Sequence, residues 1–76
     1  MTAVKLLYDL VGKRRVRIIR RDDGAFVISA EHWWQEYWEG RLMWQGWEPL
    51  RRNVSLFASA ELAEQEARRD YAWIES

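Results

Sequence analysis

"KRRVRIIRRDDGAFVISAEHW", residues 13 to 33, places two apolar, β-branched runs on either side of a "DDG" turn, and the way those runs pair decides the fold. Val, Ile and Phe suit a pleated, half-buried surface, so the segment reads as a β-hairpin. A two-residue loop of Asp23 and Gly24 would set Ile18 opposite Ser29 and Val16 opposite Glu31, mixing apolar with polar on both faces. A three-residue loop, Asp22 to Gly24 with Gly24 left-handed, sets Val16 against Ala30, Ile18 against Ile28 and Arg20 against Phe26. Its other face pairs Arg15 with Glu31, Arg17 with Ser29 and Ile19 with Val27. A one-residue slip would turn a whole strand over, so the apolar pattern selects the three-residue loop. The face of Val16, Ile18, Phe26, Ile28 and Ala30 is the expected core face.

After the hairpin comes "EHWWQEYWEGRLMWQGW", 31 to 47, with five tryptophans and a tyrosine. Two readings stand open for 30–39. The strand can run on to Trp34, with "QEYWEG" as a loop into a third strand "RLMWQGW"; or Ser29 can cap a short helix that Gly40 stops. The strand is preferred because "AFVIS" is already extended and aromatics suit sheets. "EPLRRN" reads as a loop opened by the only proline, and "VSLF", 54–57, as a short strand. Ser59 is a good N-cap for a helix over 60–74, with Arg68 one turn beyond Glu64 in the favourable order for an ion pair. Ala60, Ala63, Ala67, Tyr71 and Ile74 form its apolar stripe, mostly small, which allows close approach to a sheet. Leu62 and Trp73 fall off that stripe. "AVKLLYDLVG" near the N-terminus fits a strand or a short helix.

The 76 residues, 49% hydrophobic and 32% charged, point to one globular domain over 1–76, small for an unassisted core. With no cysteine, neither a disulfide framework nor a thiolate metal site can reinforce it. Large rings take that role, each burying about 150–250 Å². The expected architecture is α+β: a three- or four-stranded antiparallel β-meander with one C-terminal helix packed on one face.

One helix shields one side of a sheet, and alternation along a strand sends neighbouring rings to opposite faces. Trp33 then points away from the helix and Trp34 toward the core, while Trp44 and Trp47 have opposite parity. The uncovered face gathers Arg15, Arg17, Ile19, Arg21, Val27, Trp33 and Trp47. An apolar strip edged by arginines has the make-up of a protein interface, where Trp and Arg are enriched. The expected function is a small, non-enzymatic interaction module that self-associates or docks on a protein partner through that face. The alternative is weak single-stranded nucleic-acid binding, in which bases stack on rings and cations follow phosphates; a net charge of zero weighs against it.

No segment carries a catalytic signature. The single histidine, His32, lies by parity on the core face and reads as structural, and no cofactor or metal is expected. "MTAVKLLYDLVGKRR" carries its charges after the apolar run, unlike a signal peptide, and no apolar run reaches the roughly 20 residues that span a bilayer. The expected compartment is the cytoplasm, with no membrane partner.

Overall fold

A computed structural model of the chain describes residues 1–52 and 55–75. Four strands, β1 (Thr2–Tyr8), β2 (Arg14–Arg20), β3 (Phe26–Trp38) and β4 (Arg41–Arg52), precede one helix, α1 (Ala60–Asp70). The sheet is an antiparallel meander in the order β1-β2-β3-β4, and α1 lies across β2 and β3. This is the α+β architecture that the hairpin pattern and the alanine stripe predict.

The β2–β3 register is the one selected by the apolar pattern: Val16↔Ala30, Ile18↔Ile28, Arg20↔Phe26, with Arg15↔Glu31, Arg17↔Ser29 and Ile19↔Val27 on the other face. Gly24 sits at φ +86°, the left-handed value that closes the three-residue loop. Arg21 and Ala25 frame that loop through an amide-to-carbonyl bond of 2.8 Å. The core cluster is Leu7, Val16, Ile18, Ile28 and Ala30 from the sheet with Ala63 and Ala67 from the helix. Phe26, Phe57, Ala60, Tyr71, Trp73 and Ile74 close its rim. Two fully buried alanines bring α1 close to the sheet, and Ser59 Oγ accepts from the Leu62 amide at 3.2 Å as the N-cap. The Glu64 carboxylate takes Lys5 Nζ from β1 at 2.6 Å and Arg68 Nε at 2.9 Å, tying the helix to the sheet edge. Those two hydrogen bonds hold its pKa below the ordinary value.

The N-terminal segment resolves to an edge strand. Leu7 points into the core opposite Val16, and a bulge between Ala3 and Lys5 shifts the register once. Asp9 then organises the turn into β2. Its carboxylate accepts from the Lys13 amide (2.9 Å), the Arg14 amide (3.2 Å) and Arg14 Nε (3.1 Å), while Gly12 turns at φ +74°. Burial pushes this carboxyl's pKa up, but the bonds from Arg14, Lys13 and Gly12 outweigh it and hold the pKa below the ordinary range.

Elsewhere the chain departs from the sequence expectation. "QEYWEG" is not a loop: β3 continues to Trp38, and only Glu39 (φ 49°) and Gly40 (φ 77°) form the turn. Both central residues are left-handed, as a two-residue type I′ hairpin requires. "EPLRRN" is likewise strand as far as Arg52, because β4 is an edge strand on which Pro49 can sit without costing the ladder a donor. Over its described residues, the expected strand 54–57 reduces to one bridge, Phe57 with Phe26; Val54 lies outside the described residues. The helix ends at Asp70 rather than 74. Tyr71 caps it through its amide to Ala67, and a turn carries Trp73 and Ile74 back onto the core, where the Glu75 amide reaches the Tyr8 carbonyl at 2.9 Å.

Candidate interaction surface

Strand length against helix length sets up the surface. α1 has 11 residues, about 16 Å at 1.5 Å per residue, whereas β3 has 13, about 44 Å at 3.4 Å per residue. The helix therefore covers less than half of β3, and the rest of the β3–β4 hairpin projects as a two-stranded arm. The overall extents, 47 × 26 × 17 Å, follow from this.

On the side of the sheet away from α1, the structure gathers most of the sequence-predicted residues. Trp33 pairs directly with Trp47, their rings edge to face at 5.6 Å. Tyr8 meets the same Trp47 edge-on at 6.4 Å, and the Arg15 guanidinium lies 4.0 Å from its centroid, a cation–π contact. Arg15 Nε donates to Glu31 Oε1 at 2.8 Å. Arg17 Nε approaches the same oxygen at 3.1 Å, but without hydrogen-bond geometry, which leaves that buried N–H unsatisfied. Ile19 and Val27 face each other farther along the same side, and Arg21 lies at the turn beside Asp23, 3.2 Å away. Trp33, Trp47, Arg15 and Arg17 are thus one knit cluster, and Ile19, Val27 and Arg21 extend it toward the β2–β3 turn.

The most exposed rings lie elsewhere. Trp34, Trp44 and Trp38 are 43%, 50% and 68% exposed, and Tyr37, Leu42 and Met43 beside them are exposed as well. Trp34 has the core-side parity expected of it, opposite Gly46, yet it stands beyond the reach of α1. Parity names a face; it does not say how far the cover extends. Comparing an expected helix of four turns with a strand of thirteen residues would have exposed the mismatch, had the strand's length been legible.

Trp44 is held in place. A Cβ on Gly46 would come within 2.9 Å of Trp44 Cζ2, so the indole lies over the bare glycine backbone. Its Nε1 donates to Glu48 Oε1 at 3.0 Å. One side chain removed and one carboxylate added fix the ring against its own strand, with its outer side open. His32 is tilted against Trp34 at 5.8 Å.

Among the described residues no three His, Cys, Asp or Glu side chains come together as a metal set, and no helix is long and apolar enough to cross a membrane. Compared with known proteins, the chain matches no protein family, no curated relative and no solved structure, so its surface is read from its own residues.

Proposed function

We propose that the chain is a small non-enzymatic interaction module that docks on another protein chain, or on a second copy of itself. The contact surface is the Trp/Arg sheet face of Arg15, Arg17, Ile19, Arg21, Val27, Trp33 and Trp47, together with the arm, whose rings Trp34, Trp38 and Trp44 stand on the opposite, helix-side face beyond the end of α1. The observation that carries this reading is the arm itself. Trp34, Trp38 and Trp44, with Tyr37 and Met43, stand exposed on a two-stranded projection that the helix cannot reach. Contiguous exposed apolar surface on a small chain marks a partner site, and Trp is the residue most enriched among interface anchors. The knit cluster beneath gives the arm a stiff base.

Nucleic acid fits less well. Glu31 offsets one of the two charges of Arg15 and Arg17, and Asp23 that of Arg21, so the cations nearest the rings are largely engaged within the fold. Phosphate tracking needs them free.

A photo-crosslinking amino acid at position 38, introduced in the cells that make the protein, tests the proposal. A protein adduct is expected from position 38 and none from position 62, which is exposed on the outer side of α1. Adducts with nucleic acid in place of protein, or equal labelling at both positions, would overturn it.

A further inference from the structure

The arm has a second unfilled feature, the backbone edge of β4. Two hydrogen bonds settle which of its amides face outward. The Trp33 amide donates to Lys13 on the β2 side, at 2.6 Å, and the Phe26 amide, of opposite parity, donates to Phe57 on the other side. Even-numbered residues of β3 therefore bond toward β4, and odd-numbered ones toward β2. Gly46 and Glu48, opposite Trp34 and His32, bond inward to β3. Gln45 and Trp47, opposite Gln35 and Trp33, direct N–H and C=O to the open edge. Nothing among the described residues pairs with that edge.

We propose that a second copy of this chain fills the edge, the two β4 strands pairing antiparallel about a two-fold at Gln45 to join two four-stranded sheets into one. This rests on the docking reading above and names its partner. The register follows from side-chain chemistry. Gln45 meets the partner's Gln45 with both backbone bonds made. Met43 is the extra residue of a bulge, since the pairing passes from Glu36↔Trp44 to Tyr37↔Leu42. Counting outward across that bulge, Trp44 comes opposite the partner's Gly46, Leu42 opposite the partner's Trp47, and Arg41 opposite the partner's Glu48. Each pair shares a face: Arg41, Trp44, Gly46 and Glu48 lie on the helix side, opposite Trp38, Glu36, Trp34 and His32, and Leu42 and Trp47 lie on the other.

Two features favour this register over its neighbours. Arg41 has no acidic partner among the described residues, and here it gains one on each side of the axis. A two-fold at Gly46 would set Arg41 opposite Leu50 instead. A two-fold at Trp47 would bring Pro49, which has no N–H, into the ladder against Gln45; the proposed one leaves it beyond the ladder's end. Because α1 sits on β2 and β3, neither helix obstructs the join. Between Arg41 and Glu48 the edge carries no charge, the kind of edge proteins normally protect, and an isologous two-fold contact protects both copies at once.

Sedimentation across a wide concentration range, combined with amide exchange, tests the pairing. The mass is expected to rise to twice the monomer's. In the dimer the Gln45 and Trp47 amides should slow, whereas those of Gly46 and Glu48 should be slow at every concentration. Arg41→Glu, which sets like charges opposite each other twice, should move the monomer–dimer midpoint to about tenfold higher concentration. The double variant Arg41→Glu/Glu48→Arg should bring it back. Gln45→Pro removes an outward N–H and one exposed side-chain bond, from Gln35 at 3.3 Å, and should leave a folded monomer. A chain that stays monomeric at near-millimolar concentration overturns the inference, as does a dimer whose Gln45 and Trp47 amides exchange freely. The docking reading is judged separately: adducts from position 38 to a different protein would survive that failure, and the absence of any adduct would remove both.

Discussion

Two tryptophans of the same hairpin, one fixed in the knit cluster and one on the arm, should respond very differently to truncation. Trp47 is mostly buried, with Trp33 at 5.6 Å, Tyr8 at 6.4 Å and the Arg15 guanidinium at 4.0 Å. If two-thirds or more of a ring of about 250 Å² is withdrawn from water, the transfer contribution is about 4 kcal/mol as an upper bound, and about 3 kcal/mol against a realistic unfolded chain. The edge-to-face contacts and the cation–π contact each add about 0.5–1 kcal/mol. Partial relaxation around the gap returns some of this, so Trp47→Ala should cost about 3 kcal/mol. Trp38 is 68% exposed, which leaves about 80 Å² and about 1.5 kcal/mol to lose on the same scale. For a domain this small, about 1 kcal/mol moves Tm by about 4–8 °C. Trp47→Ala should therefore lower Tm by about 12–24 °C, and Trp38→Ala by about half as much, about 6–12 °C. Thermal melts followed by far-ultraviolet circular dichroism, in dilute protein so that association does not contribute, read both. If Trp38→Ala proves as damaging as Trp47→Ala, the arm does not project from the fold, and the surface argument built on it fails.

Two further perturbations probe the turn and the pinned ring. Asp9 has a folded pKa below its unfolded one, so the stability it confers is complete above the unfolded value of about 3.9 and drains away as pH falls through the lower folded value. Urea melts at a series of acidic pH values should show Asp9→Asn less stable than the parent near neutrality and with a shallower acid decline; parallel curves would contradict the hydrogen-bonded turn. Gly46→Ala places a methyl 2.9 Å from Trp44 Cζ2, so the indole must shift off the strand, which loosens its bond to Glu48. Near-ultraviolet circular dichroism and indole emission should change while the far-ultraviolet spectrum holds, and unchanged aromatic spectra would show that the ring does not rest on the glycine.

The hairpin register was legible residue by residue, because one apolar face leaves one pairing that keeps Val16, Ile18, Phe26, Ile28 and Ala30 together. The helix stripe was legible for the same reason: Ala63 and Ala67 recur at helical spacing and both are fully buried. What the local pattern did not carry was extent. Glu39 adopts φ 49°, a conformation in which asparagine or glycine is the usual resident. The two-residue turn is therefore hidden inside "QEYWEG", which reads as a loop although the strand is continuous to Trp38. Pro49 misled in the opposite direction, since its meaning depends on whether its strand has a neighbour on that side, and β4 has none among the described residues.

Those two misread residues share a consequence for the surface. Without the tight turn at Glu39 and Gly40, β3 would stop near Trp34, and the rings of Trp38 and Trp44 would have no strands to carry them past the helix. Without a proline tolerated at Pro49, β4 would end short of the stem that holds it against β3. Turn and proline together convert an ordinary meander into a core with an arm. The arm is costly for a small chain: it spends about a dozen residues outside the core and holds three indoles in water. A sequence that folded for stability alone would shorten the hairpin to the length of the helix or make its outer half polar. This one does neither, and it leaves the outward amides of Gln45 and Trp47 on the same projection as the bare rings. Two kinds of unmet demand, hydrogen bonds along the edge and apolar area on the faces, meet on the same eight residues from Arg41 to Glu48. An extended strand from another chain meets both at once, which a flat apolar surface or a phosphate backbone does not.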